Sequence, residues 1–184
     1  MRVIAQVRAH KFTGRQAIFA SLAGAALTAV CANIAFYLPG NPVPVTGQVF
    51  AVILCGMVLG GRLGALSQIE YIAAGLMGAP IFTGFRAGSL VLAGPTVGYL
   101  VGFVAAAYMV GRLMEVRETP TFHYACLAGI LGVAAIHMLG VAWISIWGGG
   151  TFQGFAAWVV GAVPFIGVDV AKVVLAAGLC ARRP

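Results

Sequence analysis

The sequence predicts an all-α integral membrane protein with six transmembrane helices. Of its 184 residues, 61% are apolar and only 8% are charged, and the mean hydropathy of +1.02 is far above that of ordinary soluble domains. A helix needs about 20 mainly apolar residues to cross the hydrocarbon core of a bilayer. A chain of this length can therefore hold about six spans, and no room is left for a soluble catalytic domain.

Apolar blocks bounded by Gly, Pro or charged residues predict where the spans lie. Residues 1–16 are basic and lack a signal-peptide cleavage site, so we expect them to remain as a cytoplasmic leader. Residues 151–163 are too interrupted for a seventh span and indicate an interfacial or re-entrant segment that ends at Pro164. The six spans are predicted at roughly 17–38, 47–59, 63–78, 93–110, 124–147 and 164–179.

The distribution of Lys and Arg predicts that both termini are cytoplasmic. Cytoplasmic loops retain basic residues, and six spans with the N-terminus inside place nine of the eleven basic residues on that side. The outer loops then carry only Arg86, and Lys172 lies within a span. This pattern fits a multi-pass protein of the bacterial cytoplasmic membrane. It does not fit nucleic-acid binding, because the net charge of +7 is dispersed among apolar blocks.

Asp169 and Lys172 are the strongest candidates for ligand binding. Charge within hydrocarbon is costly and persists mostly where it faces a protein interior or a cavity. At a spacing of three residues, the two side chains share one face of the last span and can pair. Since that span begins near Pro164, we expect both to line a pocket that opens to the outside. A structural ion pair is the alternative, although buried pairs are poor stabilisers compared with apolar replacements.

Other polar residues within the spans are weaker candidates. Glu70 could contact a ligand, but snorkelling or a hydrogen bond to a neighbouring helix explains it equally well. His137 stands alone in an apolar helix and is interpreted as a hydrogen-bonded core histidine. The sequence predicts neither a metal site nor a cofactor, and the scattered cysteines are interpreted as small buried apolar residues. The cysteines are Cys31, Cys55, Cys126 and Cys180.

Two predicted outer loops could cover a pocket. Residues 38–48 include three prolines, which stiffen the backbone, and end at Gln48, whose amide can both donate and accept hydrogen bonds. A simple turn is the alternative for this loop. The loop after the third span is longer than a turn requires and contains Phe82, Phe85 and Arg86, and such loops often act as lids.

The first span is dense in small residues, which let helices approach one another closely. Packing within the protein is the commoner use of such residues, and docking of another membrane subunit is the alternative. The small residues considered are Ala17, Ala20, Ser21, Gly24 and Ala25.

Four stretches spread over most of the chain resemble a known family, in the family's order: Pro44–Gln48, Tyr71–Phe82, Gly94–Phe103 and Val163–Lys172. The family is BioY, the biotin-specific S components of energy-coupling factor (ECF) transporters. The chain departs from the family pattern at Ile166–Asp169, where a Pro-Gly-Asp run is usual, and at Arg86, which falls in a loop that is small and glycine-rich in the family. Both departures concern loop contacts and leave the transport role intact.

The resemblance implies a non-enzymatic S component of six helices that binds biotin on its outer side. Its implied partners are a transmembrane T component, which docks on small residues within 17–25, and two ATPases. Biotin carries a ureido ring, an apolar thiophane and chain, and a carboxylate. Asp169 could accept a ureido N–H, Lys172 could meet the carbonyl or the carboxylate, and an aromatic ring could cover the apolar middle. The implied binding residues are Gln48, Tyr71, Phe82, Phe85, Arg86, Tyr99, Asp169 and Lys172.

Three other functions stay open at this point. An S component for a different vitamin would share the same architecture. A small membrane enzyme would need a nucleophile and base, or a metal set, and the sequence contains no such set. A channel would more naturally show a ring of like charges or a polar stripe, which is also missing.

Overall fold

The computed structural model describes residues 14–180, so most of the predicted leader and the basic pair Arg182 and Arg183 lie outside the described residues. Within this range the protein is helical, as predicted. The helices are α1 Arg15–Ala32, α2 Gln48–Leu76, α3 Val97–Glu115, α4 Phe122–Trp147, α5 Phe155–Gly161 and α6 Ile166–Cys180, with a 3-10 helix at Ser89–Ala93.

The first helix ends six residues before the predicted boundary, because the chain leaves helical geometry after Ala32. A pair of two-residue strands follows: β1 Ala35–Phe36 lies antiparallel to β2 Val45–Thr46, with Phe36 opposite Val45. The segment between the strands holds the prolines, which cannot continue a helix. This short β-hairpin delivers the chain directly into the start of α2.

Helix α2 is a tight helical hairpin rather than one straight helix. Gly60 has a φ of 81° and a ψ of 177°, a backbone conformation that favours glycine and interrupts the helix. The Nε2 of Gln48 lies 2.9 Å from the Tyr71 hydroxyl, whereas 23 residues of straight helix would separate the two by roughly 34 Å. The arms on either side of Gly60 therefore run antiparallel, at the positions expected for the second and third spans.

The turn of this hairpin is held by α3. The N–H of Gly61 donates to Oε1 of Glu115 at 2.8 Å, and Oε2 of Glu115 pairs with Arg112 at 2.7 Å. Gly111 allows the close approach, because a Cβ at this position would lie 2.5 Å from Gly61 Cα and nearer still to the adjoining backbone. The missing side chain is what lets α3 and the turn touch.

Within residues 14–180, four helices are long and apolar enough to cross a membrane, namely α1, α2, α3 and α4. The pair α5 and α6, bent by 49°, is a fifth candidate. Because α2 folds back at Gly60, its two arms are separate helical segments, and the described chain follows the six-helix order that the sequence predicts. The seven-residue α5 lies within the segment expected to be interfacial. The four cysteines form no disulfide among the residues that the structure describes, and all except the half-buried Cys126 are buried.

The faces of the bundle that look outward are apolar. Exposed large hydrophobic residues include Phe19, Val30, Ile69, Met138 and Leu175. In water such a surface would be strongly unfavourable, whereas in a bilayer it contacts acyl chains. Buried polar side chains lie inside the bundle instead, and four of them are at one end. These four are Gln48, Thr83, His137 and Asp169.

Candidate functional site

A cavity of about 620 Å³, counting the part that is open to solvent, lies at the end of the bundle away from Gly60. Each helix that lines it does so from the end distant from the Gly60 turn, and the loops on either side of α2 complete the wall. Its lining residues are Val43, Pro44, Thr46, Gln48, Val49, Tyr71, Phe82, Thr83, Arg86, Val91, Thr96, Tyr99, Leu100, Phe103, Ile136, His137, Phe165, Asp169 and Lys172.

Asp169 lies at the centre of a charged group on the cavity wall. Its side chain is 2% exposed and has two hydrogen-bonding partners. Oδ1 lies 2.6 Å from Nζ of Lys172, and Oδ2 lies 2.9 Å from Nε2 of His137. The first contact joins successive turns of α6, as the spacing of three residues predicts, and the second joins α6 to α4. An ammonium has three donors, so Lys172 keeps N–H groups that Asp169 does not use.

Gln48 is the centre of a second polar group in the cavity wall. Its Oε1 accepts hydrogen bonds from the hydroxyls of Thr46 at 3.1 Å and Thr83 at 3.3 Å. Its Nε2 donates to the Tyr71 hydroxyl at 2.9 Å, and that hydroxyl lies 3.4 Å from the carbonyl of Ile81. The carbonyl oxygen of the amide is fully engaged, so Gln48 has one N–H left and can act toward a ligand as a donor.

Aromatic rings form much of the remaining surface. Phe82 is 3% exposed and packs edge-on against Tyr71, with ring centroids 5.5 Å apart. Tyr99 donates its hydroxyl hydrogen to the carbonyl of Gly161 at the end of α5. Phe165, just before α6, stacks on the His137 ring at 5.9 Å between centroids. The cavity thus combines apolar walls with a few fixed polar groups.

The unused hydrogen-bonding capacity of the cavity consists mainly of donors. Lys172 has free N–H groups and Gln48 has one. Arg86 uses its Nε to donate to Thr83 O at 3.0 Å, and its terminal nitrogens have no hydrogen-bond or ion-pair partner in the described residues. With the Lys172 charge offset by Asp169, Arg86 leaves the wall positively charged. A ligand with a negative charge and hydrogen-bond acceptors, joined by an apolar body, complements this surface.

Seven of the eight predicted binding residues line this cavity, and the structure brings them together from α2, α3, α6 and the loop after α2. Phe85 is the exception. Its side chain is 71% exposed, and its N–H donates to Oδ1 of Asn33, beside the end of α1. The short bridge between Phe82 and Arg86 turns the tip of the loop, so that these two residues face the cavity and Phe85 does not.

The structure also decides between the alternatives for several other residues. Glu70 lies outside the cavity and accepts a hydrogen bond from Ser21 on α1 at 2.8 Å, so the hydrogen bond to a neighbouring helix is confirmed. Ser21 and Gly24 are buried against α2, where a Cβ at Gly24 would lie 2.9 Å from Ser67 Cβ. Ser21 and Gly24 therefore pack within the protein, which is the commoner of the two uses considered, and docking of a partner on the first span stays a prediction. Ala17, Ala20 and Ala25 are half-buried.

His137 is the site residue that sequence reasoning placed elsewhere. It is hydrogen-bonded, as expected of a core histidine, but it lies in the cavity wall. The signal was available, because an ionisable side chain inside an apolar span marks a functional site as readily for His as for Asp. Thr83 and Phe165 were also missed. Neither stands out by type or spacing, and only the packing of neighbouring segments brings them to the cavity.

Comparison with known proteins agrees with this architecture. The sequence model of the BioY family matches residues 6–183. A Thermotoga maritima protein named biotin transporter BioY is 39% identical over 145 residues, which cover 79% of this chain and 83% of the relative. A Pyrococcus horikoshii protein, named probable biotin transporter BioY, is 37% identical over 159 residues, covering 85% and 89%.

Among solved structures, a crystal structure of the S-component for biotin from an ECF-type ABC transporter has a TM-score of 0.82 and 20% sequence identity, covering 92% of each chain. At this identity the likeness establishes the shared fold. The family match and the two close relatives go further, because they extend over most of the chain, including the elements that build the cavity. This chain belongs to the BioY family.

Proposed function

We propose that this protein is the biotin-binding uptake subunit of an ECF-type ABC transporter, which captures biotin at the outer face of the membrane for delivery to the cytoplasm. The observation that carries the proposal is the cavity itself: an apolar space whose polar groups offer mainly donors and a positive charge. The names of the relatives and their close similarity to this chain support biotin as the ligand.

The chemistry of biotin matches the groups that the cavity leaves available. Its carboxylate and its ureido carbonyl are acceptors, and Lys172, Arg86 and Gln48 have donors to spare. Its thiophane ring and aliphatic chain are apolar and suit the aromatic part of the wall, where Phe82 packs. Each oxygen of Asp169 keeps a second lone pair, so the carboxylate can also accept a ureido N–H while it holds Lys172.

The proposed orientation places the cavity outside and the Gly60 turn inside. Arg62 and Arg112 lie at the turn end, and Arg117 follows soon after, so this end carries the excess of basic residues typical of a cytoplasmic face. Both termini are then cytoplasmic, with the spans near their predicted positions, in the cytoplasmic membrane of a bacterium. In this proposal a partner complex drives the release of bound biotin into the cytoplasm.

The proposed partners are a transmembrane T component and two ATPases. The proposed docking face for the T component is the side of α1 that no other part of the described protein covers. Because Ser21 and Gly24 are buried, the exposed small residues Ala23 and Ala26, beside Phe19, offer the close approach that the predicted set does not. Biotin uptake by cells that express this protein with and without these partners tests the dependence on them.

Biotin binding to the purified protein tests the proposal directly. Isothermal titration should show saturable binding by the unaltered protein and a loss of affinity on the order of tenfold to a hundredfold for Asp169→Ala and for Lys172→Ala. Arg112→Ala is the matched control, because Arg112 and Glu115 also form a pair three residues apart, at the far end of the bundle. Thiamine and riboflavin should not compete with biotin.

The proposal fails if the unaltered protein does not bind biotin. It also fails in its assignment of the site if both cavity variants bind biotin as tightly as the Arg112→Ala control. Strong competition by thiamine or riboflavin would instead indicate an S component for a different vitamin.

A further inference from the structure

His137 joins three helices at the cavity wall. It lies on α4 and is 5% exposed. Its Nε2 is 2.9 Å from Oδ2 of Asp169 on α6, and its Nδ1 is 3.3 Å from the carbonyl oxygen of Gly161 at the end of α5. Both ring nitrogens therefore have a partner, and each partner belongs to a different element.

The plane of the imidazole ring is fixed by its aromatic neighbours. Phe165 stacks on one side of it, with the two planes 23° apart. Tyr99 approaches edge-on at 6.2 Å between ring centroids, with the planes 85° apart. Tyr99 also donates to the same Gly161 carbonyl that faces Nδ1. The ring can thus direct Nε2 at Asp169 without the entropy loss that a free side chain would incur on binding.

The two oxygens of Asp169 are divided between its two hydrogen-bonding partners. Lys172 occupies Oδ1 and His137 occupies Oδ2. A carboxylate is planar, so a hydrogen bond that fixes Oδ2 also fixes the direction of Oδ1. The position of the Lys172 ammonium, held 2.6 Å from Oδ1, then depends on His137 although the two side chains do not share a bond.

We propose that His137 is a positioning residue for ligand binding: it orients the Asp169 carboxylate, which in turn holds the Lys172 ammonium toward the cavity. This inference rests on the proposed function, and it assigns to α4 a role in that site. His137 acts through Asp169 rather than on the ligand. The Nε2 nitrogen carries the hydrogen of the bond, since an ionised carboxylate can only accept.

Two amide substitutions separate the two hydrogen bonds of the ring. In His137→Gln, the side-chain nitrogen extends about as far as Nε2 and can still donate to Asp169. In His137→Asn, the nitrogen reaches only the position of Nδ1 and can meet Gly161 O but not Asp169. Both variants remove the ring and its stacking, so a difference between them reports the contact with Asp169. His123→Gln, an exposed histidine on the other end of α4, is the matched control.

The affinity for biotin should separate these variants. We expect His137→Asn to weaken binding by on the order of tenfold to a hundredfold, and His137→Gln to recover most of that loss, while His123→Gln binds as the unaltered protein does. Thermal unfolding in detergent without ligand should give similar midpoints for the Gln and Asn variants. In an Asp169→Ala background, where no side-chain oxygen is left to accept from position 137, His137→Asn should cost no further affinity.

Equal affinities of the Gln and Asn variants overturn the proposal, whether both match the unaltered protein or both are weakened, because the Asp169 contact then makes no difference. A further loss of affinity in the Asp169→Ala background also overturns it, since His137 would then act by another route. If the unaltered protein binds no biotin, the proposed function fails, and this inference fails with it. Binding by the unaltered protein together with equal amide variants removes the inference alone.

Discussion

Replacing Gly111 with alanine tests the helical hairpin on which the six-helix arrangement depends. Gly111 faces the Gly60 turn, and a methyl group there would meet backbone atoms rather than the end of a flexible side chain. Its distance to Gly61 Cα would be 2.5 Å, about 0.9 Å short of the 3.4 Å at which ordinary contact begins. The helices would have to separate by at least that amount.

The loss of folding stability in Gly111→Ala has two causes. Forcing an extra methyl group into a packed interior costs about 1 to 3 kcal/mol. Moving α3 away also weakens the hydrogen bond from Gly61 N–H to Glu115, and a bond to a charged group contributes about 1.5 to 3 kcal/mol. The Glu115 side chain is 42% exposed, so hydrogen bonds from water to its carboxylate offset part of the energy lost with the Gly61 hydrogen bond. We expect Gly111→Ala to lower the free energy of unfolding by about 2 to 4 kcal/mol.

The matched control is Gly178→Ala on α6, where nothing lies within 4 Å of the added methyl group. Alanine is the better helix former, so this variant should be as stable as the unaltered protein or more stable by up to about 1 kcal/mol. Thermal unfolding of both variants in the same detergent measures the difference. Biotin affinity of the folded fraction should not change in either variant, because the cavity is at the other end. If Gly111→Ala unfolds at the same temperature as Gly178→Ala, the close contact between α3 and the turn does not exist.

Two further substitutions probe the loop after α2. A methyl group in Gly75→Ala would meet the ring of Phe82, so we expect the ring to leave the cavity wall and biotin to bind about tenfold more weakly. The control Gly178→Ala should bind biotin normally. Normal binding by Gly75→Ala would show that Phe82 is not needed for biotin binding. Phe85 has a φ of 56°, which is costly for a residue with a side chain, so Phe85→Gly should raise the free energy of unfolding by about 1 kcal/mol. The affinity for biotin, measured by isothermal titration, should not change. A weaker affinity of Phe85→Gly for biotin would show that Phe85 contributes to the binding site.

Local sequence patterns were sufficient where the decisive partners are close in the chain. Asp169 and Lys172 are one helical turn apart in an apolar span, and their pairing follows from helix geometry alone. The break at Gly60 was also visible, because two short apolar blocks are separated by Gly60, Gly61 and Arg62. Helix geometry does not say, however, that the two blocks fold into one tight hairpin with its turn held by Glu115.

Contacts between distant segments were not predictable in the same way. His137 precedes Asp169 by 32 residues, and nothing between them tells which face of α4 meets α6. Phe82 and Phe85 are three residues apart in the same loop, yet the bridge to Arg86 buries one and leaves the other exposed. Ser21 and Gly24 have the small size that suits an external docking face, and they are used inside the protein instead.

The sequence by itself determined that this protein resides in a membrane, that it is helical, and that one acid and one base lie together within a span. Those conclusions follow from transfer of side chains into hydrocarbon and from the geometry of a single helix. The tertiary structure decided which side of each helix faces the cavity, a neighbour or lipid. The reason is that a membrane helix is apolar all round, so its sequence carries little pattern to distinguish lipid from protein, and packing alone sets its rotation.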